Sequence, residues 1–166
     1  MQIIEIIDYK KSLLEYVKTN EGFSSTFYMD SMGNKTIGYG FNVEDDFSNL
    51  TEPMSIEFAG YLLLFILNDN LINVKDIYDN QVGYQNINIF DNLPVNIRIV
   101  LQDMAYNLGT TQLKTFYNFN YYVKNNDFRN AALDLEHTLW YEQVGIRGKR
   151  ACFNLFNPGD KLYIWV

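Results

Sequence analysis

Two carboxylates, Glu21 and Asp30, stand nine positions apart on either side of a turn-forming stretch, and Thr36 and the triplet Gly38-Tyr39-Gly40 follow them. Cleaving a glycosidic bond needs one acid to protonate the leaving oxygen and a second carboxylate to activate water or to attack the sugar. The first acid must keep its proton near neutral pH, which a less polar place or an apolar wall achieves; the second must stay ionised in a polar, hydrogen-bonded setting. Glu21, beside Gly22 and Phe23 at an expected helix end, fits the first role. Asp30, in a hairpin with Ser31 and Asn34, fits the second. Thr36 would direct its hydroxyl into the same cleft if the turn falls at residues 32–34, and there it would share a water with Asp30. A plainer reading stands beside this one: acids near a helix end and a turn also serve as solvated or capping groups, and spacing alone does not separate the two. Gly38-Tyr39-Gly40 is not a phosphate loop, because it lacks the Lys and the following helix cap. Its glycines suit a bend that brings the backbone close to a bound sugar.

These residues need elements to hold them. "DYKKSLLEYVKTN" reads as a helix, with Asp8 as its N-cap and Leu13, Leu14 and Val17 on one apolar stripe; it ends near Asn20 and leaves Glu21 at its C-terminus. "STFYMDSMGNKTIGYGF" reads as a hairpin or short meander around Ser31, Gly33 and Asn34. "FNVEDDFSNLTEP" is an acidic loop ending at Pro53. From Ser55, a capping residue, to about Tyr78 the pattern is helical and apolar, long enough to join two lobes. "DNLPVNIRIVLQDMAYNLG" is a helix with Pro94 near its first turn and Gly109 at its C-cap. "TQLKTFYNFNYYVKNN", "DFRNAALDLEHTLWYEQ", capped by Asp127, and "IRGKRACFNLF" complete a helical second half. The expected class is α+β and mostly helical.

The 166 residues suit one domain, in one or two lobes, and 48% apolar residues supply a sizeable core. A net charge of −7 argues against a nucleic-acid or anionic-membrane partner, since phosphate binding needs a basic face. The 13 Tyr and 12 Phe accompany frequent Asn and Ile, so they read as compositional bias rather than sugar stacking. The single cysteine, Cys152, cannot form an internal disulfide and reads as a buried apolar residue. His137 is the one histidine, which leaves no His-based metal site; it reads as a helix-surface residue, and no metal or cofactor is expected. "MQIIEIIDYKK" has its lysines after a short apolar run and is not a secretory signal. "YLLLFIL", Tyr61 to Leu67, is far too short to span a bilayer.

The whole string alters the balance between the two readings of the acids. Glu-Gly, then Tyr-x-Asp, then Gly, then Thr-Ile-Gly-x-Gly resembles the active-site signature of the T-even phage lysozymes, muramidases of phage endolysins and tail-associated lysozymes. "MAYNLG", Met104 to Gly109, resembles a second segment of that family, and "LWYEQVGIRGKR", Leu139 to Arg150, a third. The three motifs keep the family's order and spacing and cover nearly the whole chain. The resemblance implies a lysozyme-like fold as one domain over residues 1–166: a β-containing lobe at about 21–60, a connecting helix at about 55–80 and a helical lobe at about 81–166.

It also implies roles. Glu21 would be the general acid. Asp30 would hold the nucleophilic water with the help of Thr36, in a reaction that inverts the anomeric carbon. Arg147 would position Glu21 and act on it electrostatically; a nearby cation lowers an acid's pKa, so burial must oppose it. Arg150 would be structural. Family sugar-contact positions fall at Asn42, Tyr106, Phe119 and Asp134, with Asn107 in a polar position beside the cleft, and Trp140 and Tyr141 read as core. Phe41 stands where the family has a His that pairs with an acid on the long helix, an apolar contact in place of a charged one. The implied partners are peptidoglycan glycan strands, with phage tail or injection-particle proteins, no nucleic acid and no membrane insertion; a free chain would be a monomer. The expected place of synthesis is the bacterial cytoplasm and the expected place of action the cell wall, reached through holin-type release or in a virion. The family's T-even lysozyme is cationic, so a charge of −7 weakens sticking to anionic walls and favours delivery in place.

Overall fold

A computed structural model describes residues 2–44, 47–79, 88–159 and 161–164, with side chains from residue 9 onward. The acidic loop residues Asp45 and Asp46 lie outside the described residues. The first helix, α1 (Gln2–Glu21), starts well before Asp8, which therefore sits inside the helix rather than at its N-cap. The run "QIIEII" ahead of Asp8 carries the helical turns that a cap at Asp8 would have excluded. Leu13 and Val17 are buried as the stripe requires, Leu14 is half-buried, and Tyr16 joins the core at the same face. The helix ends at Glu21, and Gly22, with φ of 69°, turns the chain out of it.

Three strands follow as an antiparallel sheet in the order β1-β2-β3: β1 (Ser24–Met29), β2 (Lys35–Gly38) and β3 (Phe41–Asn42). Phe41 and Asn42 thus belong to a strand rather than to the acidic loop. Thr36 is the middle of one cross-sheet row, opposite Tyr28 on one side and Asn42 on the other. Its neighbour Ile37 faces the opposite way, is fully buried, and pairs with Phe41. The period of two therefore gives the sheet one cleft face and one core face. Gly38 and Gly40 both have positive φ, 69° and 90°, as the tight β2–β3 connection requires. A side chain at Gly38 would collide with the Phe41 ring at 2.5 Å.

The long helix α2 (Ile56–Asp79) begins at Ser55, whose hydroxyl accepts from the Phe58 N–H at 3.1 Å. Its buried side is Ala59, Leu63, Leu67, Val74 and Ile77, while Tyr61 and Phe65 of the apolar run face solvent. Phe41 packs against the Phe47 ring, at a centroid distance of 5.9 Å. Among the described residues no helix is long and apolar enough to cross a membrane.

Pro94 splits the next segment. A short α3 (Ile89–Asn92) precedes it, and α4 (Val95–Leu108) begins after it and stops at Gly109, with φ of 81°. Pro's fixed φ and missing N–H suit a helix start, and they impose extended backbone on Leu93 before it. The central helix of the fold is α4, packed by α1, α2, α5 and α9. Ile97, Ile99, Val100, Leu101 and Met104 are fully buried. Truncating one such side chain to Ala costs about 2–5 kcal/mol.

The helical remainder is more divided than its periodicity suggests. "TQLKTFYNFNYYVKNN" forms α5 (Thr110–Lys114) and α6 (Tyr117–Lys124). "DFRNAALDLEHTLWYEQ" forms α7 (Phe128–Glu136) and α8 (Leu139–Val144). The Asp127 cap accepts from Asn130 N–H as expected, and Thr138 caps α8 in the same way through Tyr141 N–H. The final helix is α9 (Ile146–Phe156). The described chain is α+β and mostly helical, with nine helices and one small sheet among the described residues.

Candidate active site

Three elements bring the two acids to one hollow. The C-terminus of α1 presents Glu21, the β1–β2 turn presents Asp30, and the C-terminal end of α4 forms the facing wall with Tyr106 and Asn107. The cleft between them has a volume of about 440 Å³. The row Tyr28, Thr36 and Asn42 forms its sheet wall, and Ile66 and Asn70 of α2 close it on another side. Glu21 also borders a second hollow of about 320 Å³, lined by Phe23, Ser24 and Gly38. The cleft is open, and no side chain of the described residues plugs it.

Glu21 sits in a tight setting, its side chain 16% exposed. Its Oε1 accepts from Arg147 Nη1 at 2.7 Å. Its Oε2 looks toward Gly40, where an added Cβ would lie 3.1 Å away. The glycine thus gives close approach to Glu21. Burial pushes the Glu21 carboxyl above its ordinary pKa; the Arg147 guanidinium pulls the other way and is outweighed, and the Asp103 carboxylate adds to the upward push. Tyr106, half-buried, donates its hydroxyl to the Tyr39 carbonyl at 2.7 Å, which ties α4 to the β2–β3 connection beside Glu21.

Asp30 is held in the opposite way. Its Oδ1 accepts from the backbone N–H groups of Met32 at 2.9 Å and Asn34 at 2.8 Å, and its Oδ2 accepts from the Asn34 amide at 3.2 Å. These bonds, led by that from the Asn34 backbone, hold its carboxyl below the ordinary range. The turn and the ionised state therefore share one cause: the charge on Asp30 organises the Met32–Asn34 backbone, and that backbone keeps it charged. Thr36 is buried, and its hydroxyl donates to the Asn34 carbonyl at 3.1 Å, so its oxygen lone pairs are what it offers toward the cleft.

Of the expected site residues, Glu21, Asp30, Thr36, Asn42, Tyr106 and Asn107 all line this one cleft, and Arg147 contacts Glu21 from behind. Asn42 Oδ1 accepts from Glu44 N–H, and Asn107 Oδ1 accepts from Trp140 Nε1 at 2.8 Å, which fixes how each amide faces. Trp140 is buried, as a core residue. Two expected sugar-contact positions lie elsewhere. Phe119 is fully buried on α6, because its aromatic side chain joins the core beside Phe116. Asp134 borders a separate hollow with Thr115, Asn118 and Thr138. Arg150 is buried, with Nη1 bonded to Asn20 Oδ1 at 2.6 Å. His137 is exposed, its Nδ1 lying 2.6 Å from the Leu133 carbonyl. Cys152 is buried, its thiol pushed up to about 12 by that burial.

The sequence matches no protein-family model and no curated protein. What the site can do therefore rests on its own geometry: a carboxyl with a raised pKa and a carboxylate with a lowered one, both lining one open groove. Sequence reasoning passed over Asp103, which is fully buried on α4 and bonded twice to Arg147. The visible signal was an acid inside the apolar stretch "IVLQDMA", immediately before the "MAYNLG" motif.

Proposed function

We propose that the chain is a muramidase of lysozyme-like, two-lobed arrangement, cleaving the β-1,4 bond between N-acetylmuramic acid and N-acetylglucosamine in peptidoglycan with inversion. The observation that carries this reading is the opposite treatment of two carboxyls in one cleft, Glu21 pushed up by burial and Asp30 held down by hydrogen bonds. Glu21 Oε2 donates its proton to the glycosidic oxygen while Oε1 stays on Arg147. Asp30 and the Thr36 oxygen each accept a hydrogen from one water. That water attacks the anomeric carbon from the face opposite the leaving oxygen. A C–O bond to water forms, the glycosidic C–O bond breaks, and the water's proton passes to Asp30. Tyr28, Asn42, Asn70 and Asn107 offer polar contacts to sugar hydroxyl and acetamido groups along the groove.

The test is release of soluble muropeptides from purified sacculi, read by mass spectrometry, for wild type and Glu21→Gln. The reading predicts reducing-end muropeptides from wild type and none above background from the variant. Equal release by both would remove Glu21 from the role of acid. Anhydro-sugar ends would point to transglycosylase chemistry, which has no use for a water held by Asp30. The net charge of −7 favours a second reading, a non-catalytic wall-binding or structural module of a virion or injection particle. Sacculus binding without released product would support it. Under the first reading the same charge favours an enzyme delivered in place, during phage lysis or on a tail, over one that searches the wall by diffusion.

A further inference from the structure

The Arg147 guanidinium is a junction of three helices. From the first turn of α9 it places Nε 2.9 Å from Asp103 Oδ2 and Nη2 2.8 Å from Asp103 Oδ1, both on α4; the Asp103 carbonyl also accepts from Nη2 at 3.4 Å. The remaining nitrogen, Nη1, reaches Glu21 at the end of α1, 2.7 Å away. The side chains of Asp103 and Arg147 are 0% and 7% exposed, so water contributes little to orienting either. A two-bond grip by a carboxylate fixes the plane of a guanidinium, which a single bond does not.

We propose that Asp103 is a positioning residue for the proton donor: it locks Arg147 so that one N–H holds Glu21 Oε1 and leaves Oε2 turned to the cleft. The catalytic meaning of this rests on the muramidase reading; the linkage itself does not. Charge completes the argument. With one cation and two acids in a buried cluster, the neutral arrangement is an ion pair of Asp103 with Arg147 and a protonated Glu21. Arg147 is then an orienting group whose pull on the Glu21 proton Asp103 offsets in part, burial supplying the larger upward push. Without Asp103 the guanidinium would have Glu21 as its one carboxylate partner among these contacts, and the pair would favour an ionised Glu21, useless as an acid. Among the described residues the other groups beside this cluster include the buried Arg150 on α9, bonded to Asn20, and three tyrosines: Tyr28 on β1 and Tyr106 on α4, which feel Glu21, and Tyr16 on α1, which feels Asp103, Arg147 and Arg150. The three phenols are raised by burial, so none of the tyrosines supplies a competing charge near neutral pH.

The experiment is a carboxyl ¹³C NMR titration of Glu-labelled protein, the Glu21 signal assigned by its loss in Glu21→Gln, for wild type and Asp103→Asn. Wild type should titrate above the ordinary glutamate value despite the guanidinium at 2.7 Å; in Asp103→Asn the midpoint should fall by about one unit. A wild-type midpoint below the ordinary value overturns the proposal without any variant, which covers the case in which Asp103→Asn does not fold. An unchanged midpoint in a folded Asp103→Asn also overturns it. On sacculi, kcat at pH 7 should fall about tenfold with KM within about twofold, and the alkaline limb should move to lower pH by the same step. A lower kcat with an unmoved limb would make Asp103 merely structural. If wild type releases no muropeptides, the muramidase reading fails while the titration still decides the Asp103–Arg147–Glu21 linkage.

Discussion

Glu21 and Asp30 are the same functional group nine residues apart, and the fold treats them in opposite ways. Glu21 is packed at a helix end against Gly40, with an arginine behind it that is already held by Asp103. Asp30 stands in a turn open to solvent, its Oδ1 holding two backbone N–H donors and its Oδ2 a single amide donor from Asn34. The first environment is made by contacts across 44 and 126 residues of chain; the second is complete within four. Long-range packing raises one carboxyl's pKa, and a local turn lowers the other's. On the proposed muramidase reading, that asymmetry is the division of labour inversion needs.

The comparison breaks most sharply if either acid is neutralised. On the proposed reading, Glu21→Gln should lower kcat by about 10³-fold or more, since it would delete the proton donor while Gln still accepts from Arg147. Asp30→Asn should cost about 10²-fold, because the water site keeps the Thr36 oxygen. Both are read from initial rates of muropeptide release, and a larger loss at Asp30 than at Glu21 would reverse the ranking offered here.

Stability should separate the two acids by sign. Glu21 has a raised folded pKa, so its favourable contribution is present below the unfolded glutamate pKa and is lost as pH rises through the folded value. Asp30 has a lowered folded pKa, so its contribution is present above the unfolded aspartate pKa and is lost as pH falls through the folded value. Glu21→Gln should therefore raise Tm at pH 7 by about 2–4 °C, the shift that ~1 kcal/mol gives in a chain of this length, and leave Tm unchanged at pH 3. Asp30→Asn should lower Tm at pH 7 and change it least at low pH. Thermal melts across pH 3–8 check both; a Glu21→Gln protein that melts earlier than wild type at pH 7 would contradict the burial cost assigned to Glu21.

The two glycines of the β2–β3 connection sharpen the picture further. An Ala at Gly38 meets the Phe41 ring at 2.5 Å and Met54 Sδ at 2.9 Å in a packed core, for about 1–3 kcal/mol of destabilisation. An Ala at Gly40 meets the Glu21 carboxylate at 3.1 Å. Gly40→Ala should cost less stability and more activity, roughly tenfold in kcat through a displaced Oε2. Denaturant melts paired with rates test the crossing of the two effects.

Much of this was legible in the sequence where the cause is local. Glu21 at a helix end, the turn at Ser31–Asn34, Ser55 and Asp127 as caps, and Gly109 at the end of α4 all follow from side chains acting within a few residues. The start of α1 was misplaced because Asp8 is a good cap residue, yet the helix continues upstream through "QIIEII". The breaks at Phe116 and His137 carry no Pro or Gly; Thr138 was a readable cap that the continuous periodicity concealed. Asp103 carried one visible signal, an acid inside an apolar stretch, but its bonded partner Arg147 lies 44 positions away, so no local pattern tied it to the site. Arg147 was reached through family resemblance, and Phe119 was drawn to the cleft by that same register although an aromatic residue there belongs to the core.

The most direct test of the proposed muramidase reading is the configuration of the newly formed reducing end, followed by ¹H NMR before mutarotation while the protein is incubated with solubilised glycan strands. A protonated Glu21 and a water held by Asp30 on the opposite face predict α-configured N-acetylmuramic acid as the first product. First-formed β product, or a 1,6-anhydro end, would mean that no such water attacks and would contradict the account.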